Sequence, residues 1–187
     1  MNLGLYVGSF NPVHKDHIKI VKGLLKKQIV DKILLVPTKD YWDKTNLLAL
    51  PHRIKMLKFY ETPNIIVDEK RNAYDYTYQI IEEIKCAGIK VFLIIGADNL
   101  EKFHLWKEVN LIMQNKIIVV GRDGLDVNKY INNFTEKDNF IIIDDLNTRN
   151  LAATDIREKI KNKECLKGFL TKKVIDYIKK EKLYGGE

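Results

Sequence analysis

The sequence predicts an α/β protein with a Rossmann-like, open parallel sheet and helices on both faces. Two observations carry this prediction. Short apolar runs alternate along the chain with longer amphipathic segments, which is the order of strands and helices in a parallel sheet. The first run, Leu3–Val7, leads through a turn with glycine and proline into an amphipathic helix. Parallel sheets bind nucleotides at such turns, outside the carboxyl ends of their strands.

Six strands are expected, because six short apolar runs are bounded by polar or turn-forming residues. They are Leu3–Val7, Ile33–Val36, Ile65–Val67, Val91–Ile95, Lys116–Val120 and Phe140–Ile143. Helices are expected near residues 16–28, 51–60, 76–86, 107–114, 126–133, 154–162 and 171–182. The sequence has no repeats or linker-like tracts, so a single domain over residues 1–187 is expected.

The composition limits the class of protein. With 187 residues, 45% hydrophobic and 30% charged, the chain resembles an ordinary globular domain. No apolar run could cross a bilayer, no export signal is recognisable, and two distant cysteines give no disulfide framework, so we expect a cytoplasmic protein without membrane contact. The net charge of +7 suits anionic small molecules, whereas nucleic acid is not expected without dense basic blocks and interleaved aromatics.

The turn after the first strand, from Gly8 to His17, has the residues of a phosphate site. Gly8 admits a ligand close to the backbone, and Pro12 stiffens the turn. A helix that begins near Lys15 presents unpaired N–H groups and a favourable dipole to an anion. His14 and His17 share a helical face and suit a reaction that builds negative charge on phosphate oxygens. Surface histidines or a partial metal site are the alternatives, although zinc would need further ligands.

This turn resembles the G-[ST]-F-[DN]-P-x-[HT]-x-G-H signature of the nucleotidyltransferase superfamily, which transfers nucleoside monophosphates from ATP or CTP. One position departs from it, because Asp16 stands where glycine is usual. Aspartate at a helix start favours capping, and it also puts a carboxylate beside the expected phosphate site. The resemblance implies catalytic roles for His14 and His17. The residues that it assigns to ATP binding in this turn are Gly8, Ser9, Phe10 and His17.

The loop after the second strand resembles that of the superfamily's pyridine mononucleotide adenylyltransferases. In those enzymes the loop ends Pro-Pro-His-Lys, where this chain has Tyr-Trp-Asp followed by Lys44, and an arginine-containing helix comes next. From position alone, Lys44 is one exposed lysine among many. The resemblance implies that Lys44 is catalytic and contacts the mononucleotide.

Two further segments resemble the acceptor site of that family. Arg71 to Thr77 resembles an arginine-containing loop that ends in Tyr-Thr, which implies that Tyr76 and Thr77 face the pyridine nucleotide. Trp106 follows the pattern Gly-x-Asp by eight residues. An isolated tryptophan is more often a core residue, but the resemblance implies that Trp106 stacks on the pyridine ring. The backbone N–H groups of Thr77 and Lys107 would then favour the nicotinate carboxylate over an amide.

The remaining predicted contacts are to ATP. A carboxylate just past a parallel strand can accept hydrogen bonds from a ribose, which applies to Asp98 beside Gly96. Arg122 follows the fifth strand and is expected at the adenine nucleotide, although exposed arginines are common there. Residues 151–157 resemble the I-S-[SA]-T-x-[IV]-R motif, with Ala152 in place of serine. We expect Thr154 to cap the helix that begins there. The resemblance assigns ATP binding to Ala153, Thr154 and Arg157, and a catalytic role to Arg157.

These motifs span nearly the whole chain and together resemble bacterial nicotinate-nucleotide adenylyltransferases. The resemblance implies transfer of AMP from ATP to nicotinate mononucleotide, giving deamido-NAD and pyrophosphate, with Mg²⁺ arriving with ATP and no metal site of the protein's own. Three alternatives stay open: the same transfer to nicotinamide mononucleotide, transfer to another phosphorylated acceptor such as phosphopantetheine, and a nucleotide-binding regulator that has lost catalysis. A homo-oligomer also stays open.

Overall fold

The computed structural model describes residues 1–39, 47–121 and 125–185. Its strands are β1 (Asn2–Gly8), β2 (Lys32–Pro37), β3 (Ile65–Val67), β4 (Lys90–Gly96), β5 (Lys116–Val120) and β6 (Phe140–Ile143). They form one sheet in the order β3-β2-β1-β4-β5-β6, and every neighbouring pair is parallel. All six predicted strands are confirmed, with ends that differ by one residue at most.

Helices occupy the connections between the strands. Within the described residues they are α1 (Lys15–Lys26), α2 (Leu50–Lys58), α3 (Thr77–Cys86), α4 (Leu100–Phe103), α5 (Val109–Met113), α6 (Val127–Ile131), α7 (Ala153–Lys161) and α8 (Lys172–Lys180). The seven predicted helices are confirmed, with ends that differ by two residues at most. The pattern does not predict α4, because a single turn is too short to show helical periodicity.

Two apolar cores cover the two faces of the sheet. On one face α1, α2, α7 and α8 pack against side chains such as Ile33 and Leu35 of β2. On the other face α3 to α6 pack against Leu34 and Val36 of the same strand. Successive strand residues point to opposite faces, so one continuous apolar run serves both cores. This confirms the predicted helices on both faces.

The strand order places the site. The chain builds β1, β2 and β3 outward in one direction and then returns to add β4, β5 and β6 on the other side of β1. The register that pairs Leu5 with Leu93 brings Gly8 and Gly96 to the same level at the carboxyl end of the sheet. A change of direction between adjacent parallel strands leaves a crevice at their carboxyl ends, where ligands bind. No helix in the described part of the chain has the length and apolar character to span a membrane.

Candidate active site

A cavity of about 800 Å³ opens at this crevice, between the carboxyl ends of β1 and β4. That volume is within the usual range for a small-molecule site, about 300–1,000 Å³. Most of the residues predicted from the sequence line it. These are Gly8, Ser9, Phe10, His14, His17, Tyr76, Thr77, Gly96, Asp98, Trp106, Lys107 and Ala153. Thr154 and Arg157 lie beside the wall rather than in it, and Lys44 and Arg122 fall outside the described residues.

The two signature histidines stand together at the start of α1. His14 is the N-cap residue and His17 lies in the first turn, with ring centroids 3.6 Å apart and planes inclined by 25°. The backbone N–H of His14 donates to Nδ1 of His17 at 3.2 Å. Because Nδ1 accepts this bond, a neutral His17 carries its proton on Nε2. The pair therefore offers an N–H donor beside the positive end of a helix.

Phe10 lines the cavity, although it is almost fully buried. Its side chain is only 2% exposed and packs edge-on against Tyr6 and His17, at centroid distances of 5.4 and 5.1 Å. A Cβ at Gly8 would approach the Phe10 ring at 3.3 Å, so the glycine allows close packing here. Phe10 has a φ of 45°, a left-handed conformation that is costly for a bulky residue. The ring thus holds His17 in place, and the surrounding structure must hold the turn.

Two arginines hold the carbonyl groups of the turn. Arg53 of α2 is fully buried, and its Nη1 donates to the Ser9 carbonyl at 2.8 Å. Nη1 of Arg157 donates to the Asn11 carbonyl at 2.9 Å. In a trans peptide the next N–H points opposite to the carbonyl, so the Phe10 N–H points away from Arg53. Arg53 thereby orients the backbone that lines the cavity, although its role was not predicted.

The start of α7 differs from the prediction. Ala152 is the N-cap residue and Thr154 is the second helical residue, so the expected Thr154 cap is wrong. The Thr154 hydroxyl instead accepts a hydrogen bond from Nη2 of Arg157 at 3.1 Å. Asp16 explains the shift, because its Oδ2 accepts from the N–H groups of Arg149 and Leu151 at 2.9 and 3.0 Å. These bonds fix where the chain enters the helix.

Asp16 does not cap α1, because the N-cap residue of that helix is His14. The carboxylate is 6% exposed, and two amide N–H groups stabilise its charge. The position that is glycine in the signature thus ties α1 to the segment before α7. Its carboxylate lies at the cavity, as expected from the sequence, but it is engaged with the protein backbone.

Aromatic side chains form another part of the cavity wall. Tyr76 is 48% exposed and stacks on Tyr78 at 6.1 Å, and Thr77 begins α3. Trp106 is half-buried and contacts Phe103 edge-on, with centroids 5.1 Å apart. Lys107 is exposed beside it. Tyr76 and Trp106 thus give the wall of the cavity an aromatic part.

Asp75, which the sequence analysis did not single out, also lines the cavity. Its carboxylate forms an ion pair with Lys39, which follows β2. The sequence signal that could have identified Asp75 is its position directly before Tyr76, a predicted site residue. In contrast, Arg71 of the same loop pairs with Asp68 and Glu83 and does not line the cavity. Arg71 thus joins the end of β3 to α3.

Two glycines at the carboxyl edge of the sheet each lie close to a carboxylate. Asp98 is close to Gly96, the last residue of β4, and Asp144 is close to Gly121, which follows β5. A Cβ at Gly96 would lie 2.4 Å from Oδ1 of Asp98, and one at Gly121 would lie 2.1 Å from Oδ1 of Asp144. A side chain at either position would displace the neighbouring carboxylate. Asp144 borders a smaller cavity of about 400 Å³ that shares Gly121 and Thr148 with the first. Asp144 directly follows the predicted strand Phe140–Ile143. A carboxylate just past a parallel strand is the signal that identified Asp98, and the same signal could have identified Asp144.

Among the described residues, no three His, Cys, Asp or Glu side chains cluster as metal ligands.

An open parallel sheet with a histidine pair at the first strand-to-helix turn defines a nucleotidyltransferase-type protein. The family described as cytidylyltransferase-like matches residues 5–159. A Fusobacterium nucleatum protein named "Probable nicotinate-nucleotide adenylyltransferase" is 34% identical over 191 residues, which cover 97% of this chain and 98% of the relative. A Clostridium tetani protein of the same name is 29% identical over 198 residues, covering 96% and 97%. The chain belongs to the cytidylyltransferase-like family and, within it, to the family of these adenylyltransferases.

The fold has a counterpart among solved structures. Plasmodium falciparum nicotinic acid mononucleotide adenylyltransferase complexed with NaAD superposes with a TM-score of 0.83. The superposition covers 100% of this chain and 98% of that chain, at 19% sequence identity. It confirms the predicted nucleotidyltransferase fold.

Proposed function

We propose that this protein transfers the adenylyl group of ATP to nicotinate mononucleotide, giving deamido-NAD and pyrophosphate. One observation carries the proposal: a single cavity is lined both by the two histidines at the start of α1 and by an exposed tyrosine and a tryptophan. Such a cavity can align a triphosphate and a pyridine nucleotide. Family membership supports the same activity.

The reaction needs alignment and charge stabilisation. An oxygen of the acceptor phosphate attacks the α-phosphorus of ATP in line, and a new P–O bond forms. The bond from that phosphorus to the bridging oxygen breaks, and pyrophosphate leaves with the electron pair. No covalent enzyme intermediate is needed, so positioned donors supply most of the catalysis.

On the ATP side, Nε2–H of His17 would donate to a phosphate oxygen beside the positive end of α1, with His14 stacked behind. The N–H of Lys15, the first residue of α1, instead donates to the Phe169 carbonyl at 2.9 Å. Ser9 and Phe10 line the same cavity, and Asp98 beside Gly96 would hold the ribose. Arg157 uses two of its five donors on Asn11 and Thr154, which within the described chain leaves three for phosphate oxygens. Ala153 and Thr154 begin the helix that presents it. Lys44 and Arg122 stay predictions.

On the acceptor side, Trp106 and Tyr76 would enclose the pyridine ring. Backbone N–H groups of Thr77 and Lys107 would face its carboxylate, which accepts from two donors, whereas an amide would oppose one of them with its NH₂. This arrangement supports nicotinate over nicotinamide as the preferred form.

Mg²⁺ would arrive with ATP. Of the carboxylates at the cavity, Asp16 is engaged with two amide groups and Asp75 with Lys39. This donor set does not suit a protein-held cation, but it does suit an ion carried by the triphosphate, whose charge that ion partly neutralises.

A panel of acceptors tests the proposal. Pyrophosphate release from ATP would be measured with nicotinate mononucleotide, nicotinamide mononucleotide and phosphopantetheine, and the product identified by mass. We expect deamido-NAD from the nicotinate form as the fastest reaction. Release with phosphopantetheine alone would assign another acceptor, and ATP binding without release would indicate a regulator.

A further inference from the structure

Tyr184 connects the C-terminal turn to the phosphate-binding turn. It lies in the short helical turn Leu183–Gly185, and its hydroxyl donates to Oδ1 of Asn11 at 2.9 Å. The same Oδ1 accepts from the backbone N–H of Leu48 at 3.2 Å. Asn11 is 4% exposed, so this oxygen is shielded from water. The Asn11 side chain thus joins three distant parts of the chain.

The Tyr184 hydroxyl is suited to a permanent donor role. Burial raises its pKa well above the ordinary tyrosine value, although the nearby Arg157 and Arg53 act in the opposite direction. The hydroxyl therefore stays protonated at every pH at which the protein would work. Tyr184 also has a φ of 61°, a left-handed conformation that is unfavourable for a residue with a side chain. A strained backbone that delivers one hydroxyl to the site points to a role for that hydroxyl.

We propose that Tyr184 is a positioning residue for adenylyl transfer, acting through the side chain of Asn11. The turn needs such restraint, because Phe10 beside Asn11 is also in the left-handed region, with a φ of 45°. Arg157 holds the Asn11 carbonyl, and Tyr184 holds its side chain. Together they fix the backbone that precedes His14 and aligns it with the phosphates. The role in transfer rests on the proposed function, whereas the restraint of the turn does not.

The chain provides a matched control in Tyr60. The Tyr60 hydroxyl bonds Oγ1 of Thr171 at 2.7 Å, and burial likewise raises its pKa. This bond joins the end of α2 to the start of α8 and does not touch the turn. Tyr184→Phe and Tyr60→Phe each remove one buried hydroxyl and no other atom.

The first experiment compares kcat, KM and Tm of the two variants. We expect similar, small decreases in Tm, and a decrease in kcat of about two- to ten-fold for Tyr184→Phe alone, the range of one hydrogen bond. In the Asn11→Ala background, Tyr184→Phe should have no further effect on kcat. Equal effects of the two tyrosine variants, or additive effects of Asn11→Ala and Tyr184→Phe, would overturn the proposal.

The second experiment does not depend on activity. Amide hydrogen exchange of residues 8–14 would be measured in both variants without ligand. We expect faster exchange in this segment for Tyr184→Phe and unchanged exchange for Tyr60→Phe. Unchanged exchange in Tyr184→Phe would overturn the positioning role even if the enzyme is active. Lack of pyrophosphate release by the unaltered protein would instead contradict the proposed function.

Discussion

The backbone N–H of His14 donates to Nδ1 of His17, and the two imidazole rings stack 3.6 Å apart. This contact selects the tautomer of a neutral His17 with its proton on Nε2. A histidine so fixed can donate to a phosphate oxygen without first rotating or exchanging a proton, which is the preorganisation that electrostatic catalysis requires.

His17→Ala should therefore lower kcat by about 100- to 1,000-fold, the cost of losing one transition-state donor. Steady-state pyrophosphate release measures it, with Tm as the check on folding. His104→Ala is the control, because His104 is exposed and lies outside the cavity. A folded His17→Ala protein with a near-normal rate would remove His17 from the mechanism.

Arg157→Lys keeps the charge but cannot donate to Asn11, Thr154 and phosphate at once. We expect a KM for ATP raised about ten-fold and a lower kcat, with the acceptor KM nearly unchanged. Initial rates at varied ATP and fixed acceptor, and the reverse, separate these effects. Unchanged ATP kinetics would confine Arg157 to a structural role.

Trp106→Ala should weaken acceptor binding, because base-like stacking contributes about 1–3 kcal/mol, or roughly 5- to 150-fold in KM. ATP affinity should be nearly unchanged. Trp106→Phe retains an aromatic contact with Phe103 and should give an intermediate acceptor KM. If both variants keep the normal acceptor KM, Trp106 is a packing residue.

Asp75→Asn should increase the preference for the acid acceptor over the amide. Removal of this carboxylate, which lines the cavity beside Tyr76, takes one negative charge from the cavity wall and so favours an anionic ring substituent. We expect the ratio of kcat/KM values for the two mononucleotides to rise about two- to five-fold. Asp176→Asn, which breaks the exposed pair with Lys172 on α8, is the control and should leave the ratio unchanged.

Asp16→Ala should destabilise the protein by about 1–3 kcal/mol, because two backbone N–H groups lose their acceptor. Asp16→Asn keeps an oxygen acceptor and should lose less. Urea unfolding of the two variants measures the difference. Equal stability of both variants and the unaltered protein would show that other groups hold the segment before α7.

Local sequence determined the strands and the residue types of the turn between β1 and α1. The apolar runs predicted all six strands, because a buried strand is recognisable from a few consecutive residues. Gly8, Pro12, His14 and His17 lie within ten residues of one another, so the residue types that build the turn were visible together. The cap of α7 was predicted wrongly at Thr154, because a contact from distant Asp16 sets where that helix begins.

Only the tertiary structure decided what holds the turn in place. Asp16 contacts Arg149 across 133 residues of sequence, and Tyr184 reaches Asn11 across 173. Nothing in the spacing of these residues predicts their contacts, because helical and strand periodicity relate only near neighbours. Packing on both faces of the sheet brings them together. The sequence thus determined which groups the first turn offers to the cavity, and the packing of distant segments decided how those groups are held.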